Sequence, residues 1–328
     1  MHNPTEISME TPVPRIVSLL PAATEIVAAL GLRRALVGRS HECDEPTGVA
    51  TLPALTVPRI DAAASSRQIH DQVGRALTGA PSGPASSAAL YTLDVDTLAT
   101  LRPDLVITQA ACEVCAIAAD DVRDAVHRMK APPRVLELAP QRLADVFVDI
   151  LTVGAATGTL PKAREVVARL RARVASVTCR VKARRRQDAE RSRVAVVEWL
   201  DPPMAAGNWV PELVTLAGGV DVLGKAGEHS HWITWDDVIA ADPDVVVLVP
   251  CGFTLDRIVA EAETPAIRNR LKMLRAFREG RAYAVDGHHL FNRPGPRLVD
   301  SLEVLAEILN PGMFSFPATK RLATKVES

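Results

Sequence analysis

The sequence predicts an α/β protein built as two similar lobes, each a parallel sheet flanked by helices, with a long helix between them. Three observations carry this. Short apolar runs alternate with helix-period segments through residues 15–142 and again through 194–310. Residues 143–193, between them, read as helix alone. The segments "DVDTLATLRPDLVIT" and "TWDDVIAADPDVVVL", one in each half, share a plan of acidic start, apolar helix, Pro-Asp and β run. A length of 328 residues suits two units of roughly 150 residues. Aromatics make up only 4% of the chain, which favours α/β layers over an all-β sandwich.

Residues 1–14 read as a flexible lead with no basic start, apolar core or lipid-attachment cysteine. The expectation is therefore a cytoplasmic protein, or a periplasmic or extracellular one if the start is misassigned. "RIVSLL" is the first strand. "PAATEIVAALGL" is a helix stopped at Gly31, and "ALVGRS" is the second strand, running into the loop "HECDEPTG". Residues 60–91 break the rhythm with a helix, "RQIHDQVGRAL", and a small-residue loop, so they read as an insertion. "LDVDTLATLRP" (helix), "DLVITQ" (strand), "DDVRDAVHRMK" (helix) and "RVLELA" (strand) complete the first lobe.

Two connector helices follow. The second is the longer and carries the apolar stripe Val166, Val167, Leu170, Val174 and Val177. In the second lobe "VAVVEWL" and "DVVVLVP" are strands, "VPELVTLAGGVDVL" holds a helix that ends at its glycine pair, "WDDVIAADP" is a helix, and "TLDRIVAEAE" and "AIRNRLKMLRAFREG" follow as helices. "RAYAVDG" is the last strand and "GPRLVDSLEVLAEIL" the last helix. Residues 311–328 read as a loosely ordered tail.

A net charge of −1 supplies no field for nucleic acid or anionic membrane, and no apolar run approaches the ~20 residues of a membrane span. The basic run "RVKARRRQDAERSR" lacks interleaved aromatics and reads as the solvated end of the connector, so nucleic acid is not an expected partner. No P-loop, G-x-G-x-x-G or G-x-S-x-G is present, so the expectation leans to a binding protein rather than an enzyme.

Five cysteines in a reducing compartment would be free thiols or metal ligands. Ligands of open parallel sheets bind beyond the carboxyl ends of the strands. Cys43, Cys112, Cys115 and Cys251 all fall just after predicted strands, whereas Cys179 falls on the long helix. Four thiolates there suit a zinc ion or an iron–sulfur cluster, with a role as small core residues as the alternative. His41 shares a loop with Cys43, and Glu42 and Asp44 flank that cysteine. His229 and His231 precede Trp232, and His288 and His289 follow a strand. An imidazole at such a position could ligate cobalt or iron. Trp209 and Trp232 offer flat faces for a macrocycle, and Trp199 ends a strand.

"RIVSLLPAATEIVAALGL", "LVGRSHECDEP", "LATLRPDLVIT", "DVIAADPDVVVL" and "FNRPGPRLVDSLEVL" resemble, in this order, the helical-backbone (class III) substrate-binding proteins of cobalamin and iron–siderophore transporters. The cobalamin-binding branch is the most similar, here without an export signal. The resemblance implies two Rossmann-like lobes joined by a long helix, a ligand cleft between them and small hinge motion. It implies cobalamin, another corrinoid or a related metal chelate as the small-molecule ligand. Pro21, Ala22, Ala23, Thr24, His41, Trp209, His231 and Trp232 would line its site. It further implies docking on an ABC permease through Asp96 and Asp236 if the protein is exported. Those two aspartates also suit the first turns of helices.

Overall fold

The computed structural model describes residues 13–78, 90–110, 117, 119–184 and 191–327. β1 (Ile16–Ser18) leads into α1 (Pro21–Ala29), whose proline is pre-set for the first helical position. The helix stops where Gly31 takes φ +83°, a conformation that strains residues carrying a Cβ. β2 (Leu36–Arg39), β3 (Thr56–Pro58), α2 (Ser66–Thr78), β4 (Tyr91–Leu93), α3 (Val95–Leu101), β5 (Leu105–Gln109), α4 (Ala119–His127) and β6 (Arg134–Leu138) follow. β2, β1, β5 and β6 form a parallel sheet in that order. β1 and β5 are interior, hence their unbroken apolar runs.

α5 (Leu143–Ala156) packs against α6 (Leu160–Arg184), whose 25 residues extend ~37 Å. α6 buries Val166, Val167, Leu170, Val177 and Val181. Its Arg173 forks onto Asp300 (2.5 Å) and Glu303 (2.6 and 2.9 Å), which fixes it against the second lobe.

That lobe runs β7 (Arg193–Leu200), β8 (Pro203–Ala205), α7 (Val210–Leu216), β9 (Val220–Asp221), β10 (His231–Trp232), α8 (Trp235–Ala240) and β11 (Val245–Leu248). It continues with α9 (Leu255–Ala262), α10 (Pro265–Met273), α11 (Arg275–Arg278), β12 (Ala282–Val285), α12 (Leu298–Leu309), α13 (Pro317–Leu322) and β13 (Ala323–Lys325). β7, β11 and β12 are the parallel centre of its sheet, while β8, β10 and β13 lie antiparallel towards the edges. One core cluster runs through both lobes and the connector helices, from Ile16 and Ile26 through Val166 to Leu213 and Leu302. A separate cluster covers the outer face of each sheet.

Three features depart from the sequence expectation. The tail is ordered: β13 pairs with β12, and Phe314, Ala318 and Val326 are buried, so this segment covers an otherwise open sheet edge. The helix expected over 266–280 is two, because Leu274 turns extended (φ −79°, ψ 132°) between α10 and α11. All four of Leu271, Leu274, Ala276 and Phe277 thereby reach one core.

The insertion also does more than interrupt the first lobe. β3 and β4 pair antiparallel at its base, and α2 crosses to the second lobe. There Ile69 joins the cluster of Val197, Trp235 and Phe253. The Ser66 hydroxyl and N–H (2.9 Å) both donate to the buried Glu261 carboxylate, and the Ser66 carbonyl accepts from the Trp199 indole (3.2 Å). The Arg257 guanidinium lies 3.4 Å over the Phe253 ring and donates to the Ala62 (2.7 Å) and Ala64 carbonyls. α2 is thus a strap from one lobe docked on the other.

Ser66→Ala strips one donor from a buried carboxylate, a loss of about 1–3 kcal/mol. Urea unfolding should show that loss, and hydrogen exchange should show α2 opening sooner. Unchanged exchange in α2 would contradict the docking.

Candidate functional site

The loops beyond the carboxyl ends of β1, β2, β11 and β12 face one another between the lobes. On the first lobe these are the start of α1 and the segment "HECD"; on the second they are "PCGF" and "HHLFNRPGPR". The cleft is shut. Glu25, on the otherwise apolar face of α1, takes two hydrogen bonds from Arg297 (2.9 and 2.6 Å). Arg293 lies 3.6 Å from Glu25, donates to Asp44 (2.6 Å) and reaches the Glu42 carbonyl (3.3 Å). Glu25 and Arg293 are each 7% exposed, so these two groups are largely withdrawn from water, whereas Asp44 and Arg297 stay partly exposed. Gly295 lies against Ala22: a Cβ on it would come 3.3 Å from the Ala22 carbonyl oxygen, so glycine permits the close approach.

The loop 288–297 is propped from behind. Trp209 donates its indole N–H to the Phe291 carbonyl (2.7 Å), and the Ser301 hydroxyl oxygen accepts the Phe291 backbone N–H (2.9 Å). Phe291 itself sits at φ +62°, rare for a bulky residue and held by these contacts. The Asn292 amide donates to the Val249 and Gly287 carbonyls (3.2 and 2.9 Å).

Electrostatics follow from burial and these pairs. Burial alone would raise the Asp44 pKa, but hydrogen bonds from His288 and Arg293, with their charges, hold it well below the carboxylate range. Burial lowers the His41 pKa, with Glu42 opposing and Arg39 reinforcing. Burial raises the Cys251 thiol, helped by Glu198 and Glu42 and opposed by Arg293. Tyr91 is raised by burial and by Glu42 and Cys251. Burial lifts Glu198 from 4.5 to about 7, although Ser230 donates to it at 2.9 Å.

The structure distributes the residues expected from sequence. Pro21 and His41 share a cavity of about 10 Å³ with Leu19, Glu42, Thr56 and Tyr91, room for about one water molecule. Ala22, Ala23 and Thr24 are buried in α1, with Ala22 at the lobe contact. The Thr24 hydroxyl lies 2.8 Å from the Ser18 hydroxyl and 3.0 Å from the Cys43 sulfur. Cys43 is a core residue, and burial lifts its thiol to about 11. Cys251 is half-buried on the second lobe, Cys179 is exposed on α6, and Cys112 and Cys115 lie outside the described residues. Trp209 is 8% exposed and anchored, so its face is packed rather than free. His231 and Trp232 are exposed on β10, and Trp232 meets His70 of the strap edge-on, ring centres 4.8 Å apart.

Sequence reasoning noted Asp44, His288 and His289 without joining them, and it missed Glu25, Arg293 and Arg297. A glutamate inside the apolar helix "ATEIVAAL" was a readable signal. The arginines were not, because their partners lie 249 and 272 residues away.

The family described as periplasmic binding protein matches residues 16–284, across both lobes. An uncharacterized ABC transporter substrate-binding lipoprotein of Bacillus subtilis is 24% identical over 313 residues, covering 94% of this chain and 84% of its own. The periplasmic heme-binding protein of Pseudomonas aeruginosa superimposes with a TM-score of 0.70 at 19% identity, over 96% of this chain and 98% of its own. The periplasmic vitamin B12-binding protein of Vibrio cholerae superimposes with a TM-score of 0.64 at 19% identity, over 91% of this chain and 97% of its own. At such identities these structures show a common fold.

Arg297→Ala leaves the Glu25 carboxylate buried without its fork and should cost about 3 kcal/mol in urea unfolding. The double variant Glu25→Leu/Arg297→Met should recover part of that loss; a double variant as weak as the single would contradict the account.

For Glu198 the unfolded chain releases its proton at lower pH than the folded chain. Stability should therefore fall as pH rises from 4.5 to about 7 and level off above. Urea unfolding across that window should show a slope that Glu198→Gln reduces.

Proposed function

This chain belongs to the periplasmic binding protein family, and we propose on that premise that it binds a metal chelate of the corrinoid type between its lobes for an ABC transporter. The observation that carries this is the extent of the match. Both lobes and their connecting helices follow the fold of proteins described as binding vitamin B12 and heme. Ligand access requires the lobes to part, which breaks the contacts of Glu25 and Asp44 with Arg297 and Arg293 and lifts the strap from Glu261. The ligand must regain that free energy from its own contacts, and this keeps the unliganded protein shut.

The relatives are described as periplasmic or as a lipoprotein, and they favour an exported working place over the cytoplasmic one expected from the N-terminus. Among the described residues no helix is long and apolar enough to cross a membrane. Docking on a permease is assigned to Asp96 and Asp236. Both are exposed first-turn acids, on α3 and α8, one from each lobe. Asp236 carries an exposed ion pair with Arg270 at 3.3 Å, of the kind that adds little to stability and separates readily.

Titration of the purified protein with cobalamin, followed by absorption and calorimetry, tests the ligand. Heme and a ferric hydroxamate run in parallel. The expected result is saturable one-to-one binding of cobalamin at micromolar concentrations or below. Binding of heme or hydroxamate alone would reassign the chelate, and no binding of any of the three would overturn the proposal.

A further inference from the structure

We propose that Asp44, His288 and His289 form a binding site for a bare divalent transition-metal ion, with its ligands drawn from both lobes. The three side chains place one carboxylate oxygen and two imidazole nitrogens within 4.8 Å of one another, and among the described residues they are the group of three or more His, Cys, Asp or Glu side chains that does so. Nε2 of His288 lies 2.5 Å from Oδ2 of Asp44, and Nε2 of His289 lies 3.7 Å from the same oxygen. Two imidazoles and one carboxylate, with remaining positions open, are a donor set for zinc, iron(II) or cobalt(II) rather than for magnesium or calcium.

The surroundings supply what such a site needs. His289 turns its Nδ1 to the buried Asp286 carboxylate (3.1 Å), and Asp286 also accepts the backbone N–H groups of His289 (2.7 Å) and Leu255 (3.1 Å). A carboxylate on one ring nitrogen fixes the tautomer that leaves the other nitrogen free to ligate. Arg293 holds Oδ1 of Asp44, which leaves Oδ2 for the ion. Nε2 of His288 faces both an acceptor, Asp44, and a donor, Arg293 at 2.9 Å. A proton there serves the first contact and a lone pair the second, so a metal ion between Nε2 and Oδ2 takes the place of that proton. Arg293 has the Glu42 carbonyl and Glu25 as further acceptors and can give up its contact with His288. Three nearby carboxylates (Glu25, Asp44 and Asp286) outnumber two guanidiniums (Arg293 and Arg297), so a dication is not repelled overall.

Because Asp44 belongs to the first lobe and both histidines to the second, the bound ion ties the lobes in the closed position. This inference concerns the free ion and does not rest on the chelate reading: metal-stripped protein can be titrated with cobalamin separately.

The test is titration of the metal-stripped full chain with Co²⁺, followed by its visible absorption, with Zn²⁺ as competitor. The expected result is one equivalent bound with the bands of a four- or five-coordinate ion and no near-ultraviolet sulfur-to-cobalt transition. His288→Ala/His289→Ala, both on a partly exposed loop, should abolish that equivalent. Asp286→Asn, which replaces the carboxylate that orients His289 and removes one nearby negative charge, should weaken it about 10–100-fold and change the band pattern. Zn²⁺ should raise the wild-type Tm and leave the double variant's unchanged. A spectrum of the hydrated ion only, a sulfur transition that shows thiolates taking the metal, or equal binding by the double histidine variant would each overturn the site.

Discussion

The organisation of the molecule hangs on a buried charge contact between its halves. Two arginines of one loop, Arg293 and Arg297, reach across to Glu25 and Asp44. Charges so far from water are tolerated only when paired, and here the partners come from different lobes. Much of the nearby detail serves this contact: Trp209 and Ser301 hold the loop in an unusual conformation, and Gly295 lets it come down on α1. In the closed arrangement Glu25, Asp44, Arg293 and Arg297 each have a partner across the lobes.

Two further ties act in parallel with the charge contact. The connector α6 is a continuous helix anchored to α12 by Arg173, and one apolar core extends through it. The strap α2 ties the first lobe to the outer face of the second. Separating the lobes would have to break the docking of α2 as well as the charge contact.

Local periodicity made the fold legible. The main helices and the central strands between Ile16 and Leu309 follow from apolar spacing, prolines and glycine stops, because those signals sit within a few residues of the structure they dictate; the short strands β3, β4, β8, β9 and β10 carried no such signal. The tail failed that reading because the reason for its order is distant. β13 is short and mixed in character, and only the open edge of β12 gives it a place. Half of the site was visible: placing loops at strand ends brought His41, Asp44, Cys251 and the His288–His289 pair to one cleft. The pairing within it was not visible, since a single sequence does not say which arginine meets which carboxylate. Cys43 shows the opposite limit. It lies at a strand end as expected, yet its sulfur faces Thr24 inside the first lobe.

The strap also sets an order of events for the chain as it is made. The bond between Ser66 and Glu261 closes a loop of 195 residues. Contacts of such separation form after local ones, and here they cannot form until α9 has emerged from the ribosome. The first sheet, whose four strands lie between Ile16 and Leu138, can assemble well before that. During synthesis α2 therefore waits with Ile69 exposed on a folded lobe. That interval, rather than the finished protein, is when a chaperone would find the apolar side of α2 uncovered.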